Sequence, residues 1–203
     1  MRKIILLFFV LPLVNNAQEV FFYSGKNFTK YDYKSTDGST PNLFSRVGDY
    51  YEVGYQGKLI DEKVNYQLGL TYNELNSSGG DSANIYRWQS SYMGLKANVL
   101  YNLFDAYRSG FQINVKAGVN FSTLVNGEQE INGVLYDLKK EEEFKGLQLF
   151  PNVGFNINYA VSDIGYLSVG YNFSKSFKLG TSTDEKLSFN TSQIQFGIHI
   201  PIR

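Results

Sequence analysis

The amino-acid sequence predicts an all-β protein: an eight-stranded antiparallel transmembrane β-barrel with short periplasmic turns and longer extracellular loops. Three observations predict it. Long runs alternate apolar and polar residues with period two, the pattern of strands whose two faces meet different surroundings. Seven runs place a glycine on the polar face, at Gly54, Gly69, Gly94, Gly118, Gly154, Gly170 and Gly197. The chain opens with a segment shaped like an export signal, and no other stretch approaches the roughly 20 apolar residues of a membrane helix.

Glycine in a strand costs backbone entropy and packs nothing, so it needs a reason. A solvent-facing surface supplies none. In a narrow closed barrel, a missing side chain makes room for a large polar neighbour across the lumen. The polar face is then the inside, and the apolar, aromatic face meets lipid. The rival is a soluble, secreted lipocalin-like barrel, which would put the apolar face inward.

Composition narrows the function. The 203 residues carry no net formal charge, so no basic field recruits nucleic acid. With no cysteine, a disulfide scaffold, a thiolate metal site, a cysteine nucleophile and a lipid-anchored cysteine are all excluded. Arg2 and Lys3 precede an apolar stretch over 4–14, and Asn15-Asn16-Ala17 stands before Gln18. Residues 1–17 therefore read as a signal peptide and 18–203 as the barrel domain.

The strands follow in order. The first, about 20–33, is rich in Phe and Tyr and alternates poorly. The second, 46–58, sets Tyr51, Val53 and Tyr55 against Glu52, Gly54 and Gln56. The third sets Val64, Tyr66, Leu68, Leu70 and Tyr72 against Asn65, Gln67, Gly69 and Thr71. The fourth, 85–101, sets Leu95, Val99 and Tyr101 against Gly94, Lys96 and Asn98. Trp88 falls on its polar side, which suggests a bulge near Ser90. The fifth sets Ile113, Val115 and Ala117 against Gln112, Asn114 and Lys116. The sixth sets Phe155, Ile157 and Tyr159 against Gly154, Asn156 and Asn158. The seventh opposes Val169 and Tyr171 to Gly170 and Asn172, and the eighth opposes Phe196 and Ile198 to Gln195, Gly197 and His199.

The connections alternate in length. Short periplasmic turns are expected at 59–62, 102–110 and 162–165, and outer loops at 34–45, 74–84, 126–145 and 180–186. In the third outer loop, Asn132-Gly133 signals a type I′ hairpin, flanked by Ile131 and by Val134-Leu135-Tyr136-Asp137-Leu138. The fifth and sixth strands are expected to continue past the membrane there as a protruding β-ribbon. Lys139-Lys140 and Glu141 to Glu143 read as a solvated charge run.

With its leader followed by Gln18, its repeated strand pattern, Gly170-Tyr171-Asn172-Phe173-Ser174 and the closing Ile194-Gln195-Phe196-Gly197-Ile198-His199, the chain resembles the small eight-stranded outer-membrane β-barrel proteins of OmpA-like or PorT-like type. The resemblance spans the mature chain and implies outer-membrane lipid as solvent and the barrel-assembly machinery as the route of insertion. Family members usually end on an aromatic residue, whereas this chain ends Ile202-Arg203.

Chemistry is sparse. His199 is the only histidine and should face the lumen near the periplasmic end, as a satisfied polar residue. Small barrel lipases that resemble this size class carry a serine two positions after a strand histidine, and Pro201 stands there. Glu74 and Asp81 are too few for a metal site, and no cofactor is expected. Glu52, Lys96, Lys116, Asn65, Gln67, Asn98, Gln112, Asn114, Asn156 and Asn158 should form a polar network filling the lumen. A narrow ion path is the functional alternative. Tyr51, Tyr55, Tyr66, Tyr72, Tyr101, Tyr159 and Tyr171 should form interfacial girdles.

The reading that results is a non-enzymatic envelope barrel, a structural or binding protein that contacts a protein partner, a surface polymer or a secretion-apparatus component through its outer loops. The contact candidates are Ile131, Asn132, Gly133, Leu135, Tyr136 and Leu138, with packing across the barrel mouth as the other use of these apolar residues. A carrier of small hydrophobic molecules is the alternative. It would need an apolar patch among the lumen residues, and the sequence shows none. A lipid-remodelling enzyme comes third.

Overall fold

The computed structural model describes residues 18–34, 43–60, 63–80, 85–104, 110–162, 164–179 and 186–202. Eight strands close a ring: β1 (Gln18–Lys34), β2 (Leu43–Ile60), β3 (Val64–Gly80), β4 (Ile85–Asn102), β5 (Phe111–Ile131), β7 (Leu147–Ser162), β8 (Gly165–Lys175) and β10 (Lys186–Ile202). Two short strands extend it. β6 (Val134–Asp137) folds back on β5, and β9 (Phe177–Leu179) continues β8 against β7. Every pairing is antiparallel.

The register shows the closure directly. Glu19 pairs with Gln56, then the path runs through Gln67, Asn98, Gly118, Asn152, Ser174 and Thr191 and returns to β1 at Thr29. The return lies ten residues further along β1, from position 19 to 29. That stagger tilts the strands, by about 35–45° in barrels of this kind, and leaves an interior that side chains fill. With no free edge around the ring, every strand has a partner on both sides.

The wall is inverted as expected. Asn65, Gln67 and Thr71 are buried on β3, while Leu68 and Leu70 are 45% and 57% exposed. The same holds around the ring, with Val53, Leu95, Val153, Phe196 and Ile198 all exposed. A face this apolar is favourable only against lipid.

The strands differ from expectation at three places. β1 alternates fully: Phe21, Tyr23, Asn27, Thr29 and Tyr31 are buried, and Val20, Phe22 and Phe28 are exposed. Aromatic residues on both faces hid its period. The bulge lies on β5 instead of at Ser90: Ser91 pairs with Asn126 and Tyr92 with Leu124, so Val125 is the extra residue. β4 itself is regular, and Trp88 stays on the lumen side. Finally, β3 runs on to Gly80, so most of the outer loop expected at 74–84 is strand. Positions 35–42, 61–62, 81–84 with Asp81, 105–109, 163 and 180–185 lie outside the described residues, as does the 1–17 signal reading.

The ribbon forms, but only β5 runs into it: its return arm is the separate strand β6, which ends at Asp137, and the sixth ring strand starts anew at Leu147. Asn132 and Gly133 have φ of 51° and 84°, the two positive values that a type I′ turn requires. Ile131 pairs with Val134 and Glu128 with Asp137. One residue departs from expectation: Leu138, a contact candidate, is fully buried. Asp137 caps a 3-10 turn at Leu138–Lys140, accepting the Lys139 amide at 2.9 Å, and the turn swings Leu138 over the barrel mouth.

Candidate functional site

The lumen residues expected from the sequence are brought together. Glu52, Lys96, Lys116, Asn65, Gln67, Asn98, Asn114, Asn156 and Asn158 are buried, and Gln112 is half-buried at the rim. Three levels follow up the barrel.

At the level of the first β1 residues, Glu19 and His199 face each other. His199 Nδ1 lies 3.1 Å from Glu19 Oε2, and His199 Nε2 lies 2.8 Å from the Tyr23 hydroxyl. A carboxylate can only accept, so a neutral imidazole donates from Nδ1 and accepts the Tyr23 proton at Nε2. Asn156 Nδ2 donates to Tyr23 Oη at 2.9 Å, and its Oδ1 accepts from Lys116 Nζ at 2.9 Å and from Gln195 Nε2 at 3.1 Å. On the other side, Gln56 donates to Glu19 at 3.2 Å and accepts from Gln67 at 2.7 Å. The result is one hydrogen-bonded string, from Gln67 through Gln56, Glu19, His199, Tyr23 and Asn156 to Lys116. Asn158 donates to Gln112 at 3.3 Å and Asn65 to Asn102 at 3.4 Å, closing the rim around it.

At mid-height, Lys96 Nζ donates to Glu52 Oε2 at 3.1 Å and to Tyr50 Oη at 2.9 Å, and Tyr50 donates to the same carboxylate. The Lys96 and Glu52 side chains are 4% and 2% exposed, so the pair is desolvated and holds only through this close geometry.

The lumen glycines sit where large side chains cross. A methyl group on Gly69 would stand 2.8 Å from Glu52 Oε1, and one on Gly154 2.8 Å from Asn172 Oδ1. Asn98 lies over Gly118 and Asn156 over Gly170. At Gly54 and Gly197 the covering groups are the Phe21 and Tyr23 rings, so two of the seven glycines make room for aromatic residues.

The third level was missed in the sequence. Above the amides the lumen turns apolar: Tyr31, Leu43, Leu75, Tyr92, Phe150, Leu187 and Phe189 form a buried cluster, joined by Leu138 and Phe144 from the ribbon's return. Phe189 is the hub, with ring centroids at 4.7 Å from Tyr31 and 5.5 Å from Tyr92. The absence of an apolar lumen patch expected from the sequence is therefore corrected. The signal was present in parity: Leu75, Tyr92, Phe150 and Phe189 keep the lumen phase of their strands, Tyr92 within the fourth run and the other three beyond the runs first recognised as alternating. Between the charged level and this cluster lies a cavity of about 20 Å³, lined by Lys96, Asn152, Asn172 and Gln193 and roofed by Leu75 and Phe150. It has room for about one water and none for an acyl chain.

The girdle tyrosines lie on the outer wall. Tyr51, Tyr101, Tyr159 and Tyr171 are exposed and Tyr55, Tyr66 and Tyr72 are half-buried, with Tyr51 beside Tyr72 and Tyr55 beside Tyr66 at 6.3 and 6.5 Å. On the ribbon, Val134, Leu135 and Tyr136 are 54%, 66% and 47% exposed, Asn132 and Gly133 are exposed, and Ile131 is half-buried. Glu74 stands on the outer wall, and among the described residues no three His, Asp or Glu group to hold a metal.

This is the fold of the small outer-membrane β-barrels, with a polar lumen, an apolar exterior and a closed eight-stranded ring. Solved structures of that class match the chain over nearly its whole length. The outer membrane protein OprG from Pseudomonas aeruginosa covers 93% of this chain and 98% of its own, at 13% identity and a TM-score of 0.55. The Neisserial surface protein A covers 88% and 96%, at 14% identity and a TM-score of 0.46. The outer membrane enzyme PagL covers 91% and 99%, at 11% identity and a TM-score of 0.45. Likeness at these identities shows the fold and nothing of activity. No protein-family model matches, and no curated protein matches by sequence.

Proposed function

We propose that the protein is a non-enzymatic barrel of the outer membrane that acts as an envelope binding protein, with its ribbon as the contact element. One observation carries this reading. Leu138 and Phe144 anchor the ribbon in the apolar cluster while Val134, Leu135 and Tyr136 project uncovered beyond the wall. Apolar side chains held rigidly in the open mark a surface that another molecule covers. The partner class this fits is a protein or surface polymer, reached after export by the 1–17 leader and insertion by the assembly machinery.

The interior supports binding over catalysis or transport. The single imidazole is buried between Glu19 and Tyr23, where no substrate reaches it. The apolar cluster that a hydrophobic-molecule carrier would need is filled by its own rings and by Leu138.

The test is a ribbon variant, Leu135→Ser with Tyr136→Ser, expressed in native membranes beside the parent. Both should give the same heat-modifiable folded band, and the variant should lose a partner that cross-links to the parent's ribbon. Identical cross-links from both proteins would reject the ribbon as the contact element. Stable large-conductance openings in planar bilayers would reject the sealed barrel.

A further inference from the structure

Above the lipid-facing band, the outer wall of β3, β4 and β5 is polar. Two rows of cross-strand neighbours lie one above the other: Glu74, Ser91 and Asn126, then Asn76, Gln89 and Glu128. Their chain neighbours Leu75, Ser90 and Gly127 are buried, so these six belong to the outside face. Together with Tyr72 beneath them they line a notch of about 210 Å³.

The notch is partly organised by the protein itself. Tyr72 Oη donates to Glu74 Oε1 at 3.2 Å and accepts from the Ser91 hydroxyl at 3.1 Å. Asn76 Nδ2 donates to the Val47 carbonyl at 2.9 Å, and Glu74 Oε2 accepts the Asp49 amide at 3.3 Å. Gln89, Asn126 and Glu128 are exposed and make no side-chain hydrogen bond among the described residues. One wall is therefore preset and the other offers free amide and carboxylate groups.

We propose that this notch binds the sugar head of a membrane glycolipid, through its hydroxyl groups, while the lipid's chains lie on the barrel wall below. Three features select that ligand. Three amides, two hydroxyls and two carboxylates set donors beside acceptors at close spacing, which suits a hydroxyl-rich molecule. No Lys or Arg lines the notch and two carboxylates do, which turns away phosphate. Directly beneath it, Tyr72 pairs with Met93 and Leu70 with Leu95, and Leu70, Met93 and Leu95 are 57%, 52% and 63% exposed. A ligand in the notch therefore stands at the top of a lipid-facing surface, where a lipid head-group belongs. The inference rests on the membrane reading of the barrel and not on the ribbon.

The test compares the parent with Gln89→Leu/Asn126→Leu, both folded into vesicles of zwitterionic phospholipid doped with one of two lipids. One is an outer-membrane glycolipid with its core sugars, the other the same lipid trimmed to its phosphorylated anchor. Lipid retained per barrel after detergent exchange is read by native mass spectrometry, with the heat-modifiable band as the folding control. The parent should retain the sugar-bearing lipid over the trimmed one, and the variant should lose roughly tenfold of that retention with two hydrogen-bonding side chains gone. Equal retention by parent and variant, or of the two lipids by the parent, would overturn the proposal. Equally tight binding of the free core oligosaccharide would show that no lipid link is needed and reject the glycolipid as the specific ligand. A parent chain that gives no folded band in these vesicles would reject the membrane reading, and the site with it.

Discussion

The Tyr23 ring lies over Gly197, its cross-strand partner, while its hydroxyl reaches His199 Nε2 at 2.8 Å, two residues further along the same partner strand. The glycine is what lets the ring lie flat enough for that hydroxyl to reach the imidazole. Adding a side chain at Gly197 would push the ring off its seat and break the string at its centre.

Gly197→Val should therefore destabilise the barrel by about 1–3 kcal/mol, the ordinary cost of overpacking. Tyr23→Ala should cost less in that chain than in the parent, because the clashing group is gone. Urea unfolding followed by the fluorescence of Trp88 measures both, and additive losses in the double variant would contradict the covering role of the ring.

The Lys96–Glu52 pair gives an asymmetric expectation. Glu52→Gln alone leaves a buried ammonium and should cost about 3–5 kcal/mol, whereas Glu52→Gln with Lys96→Met should cost less than either single change. A double-mutant cycle on unfolding free energies checks it. If Lys96→Met alone proves harmless, the pair does not hold the middle of the lumen.

Leu138 and Leu135 are three residues apart and should behave oppositely. Leu138→Ala removes a buried side chain from the apolar cluster and should cost about 2–5 kcal/mol. Leu135→Ala, on the exposed face, should stay within about 0.5 kcal/mol. Replacing all of 128–143 by a short turn removes Leu138 and should weaken the fold, whereas replacing 131–136 should not.

Outside the membrane span, the Lys145 ammonium 2.7 Å from Glu142 holds that carboxyl below the usual carboxylate range. Its small contribution to the segment is present above the carboxyl's unfolded pKa and lost as pH falls through the lower, folded value. Lys145→Met should move the Glu142 midpoint upward in a carbon-detected NMR titration. An unchanged midpoint would mean that the pair does not form in solution.

The period-two alternation by itself determined the strands and their two unlike faces, and the glycines on the polar face decided that this face is the inside of a narrow closed barrel. The Asn132-Gly133 turn was legible too, since each of these signals is local: a phase, a missing side chain, a pair of positive φ angles. Tertiary structure decided the rest. The stagger of ten residues sets which side chains share a level, so Glu52 meeting Lys96 and His199 meeting Tyr23 depend on pairings between residues up to 176 apart. The apolar cluster at the mouth escaped the alternation because its members occupy lumen positions, where apolar residues look like errors of phase until the strands assemble and turn them toward one another. Leu138 shows the same limit on a smaller scale. Its neighbours on the ribbon are exposed, and only the 3-10 turn at Leu138–Lys140, packed against the mouth of the ring, puts this residue inside.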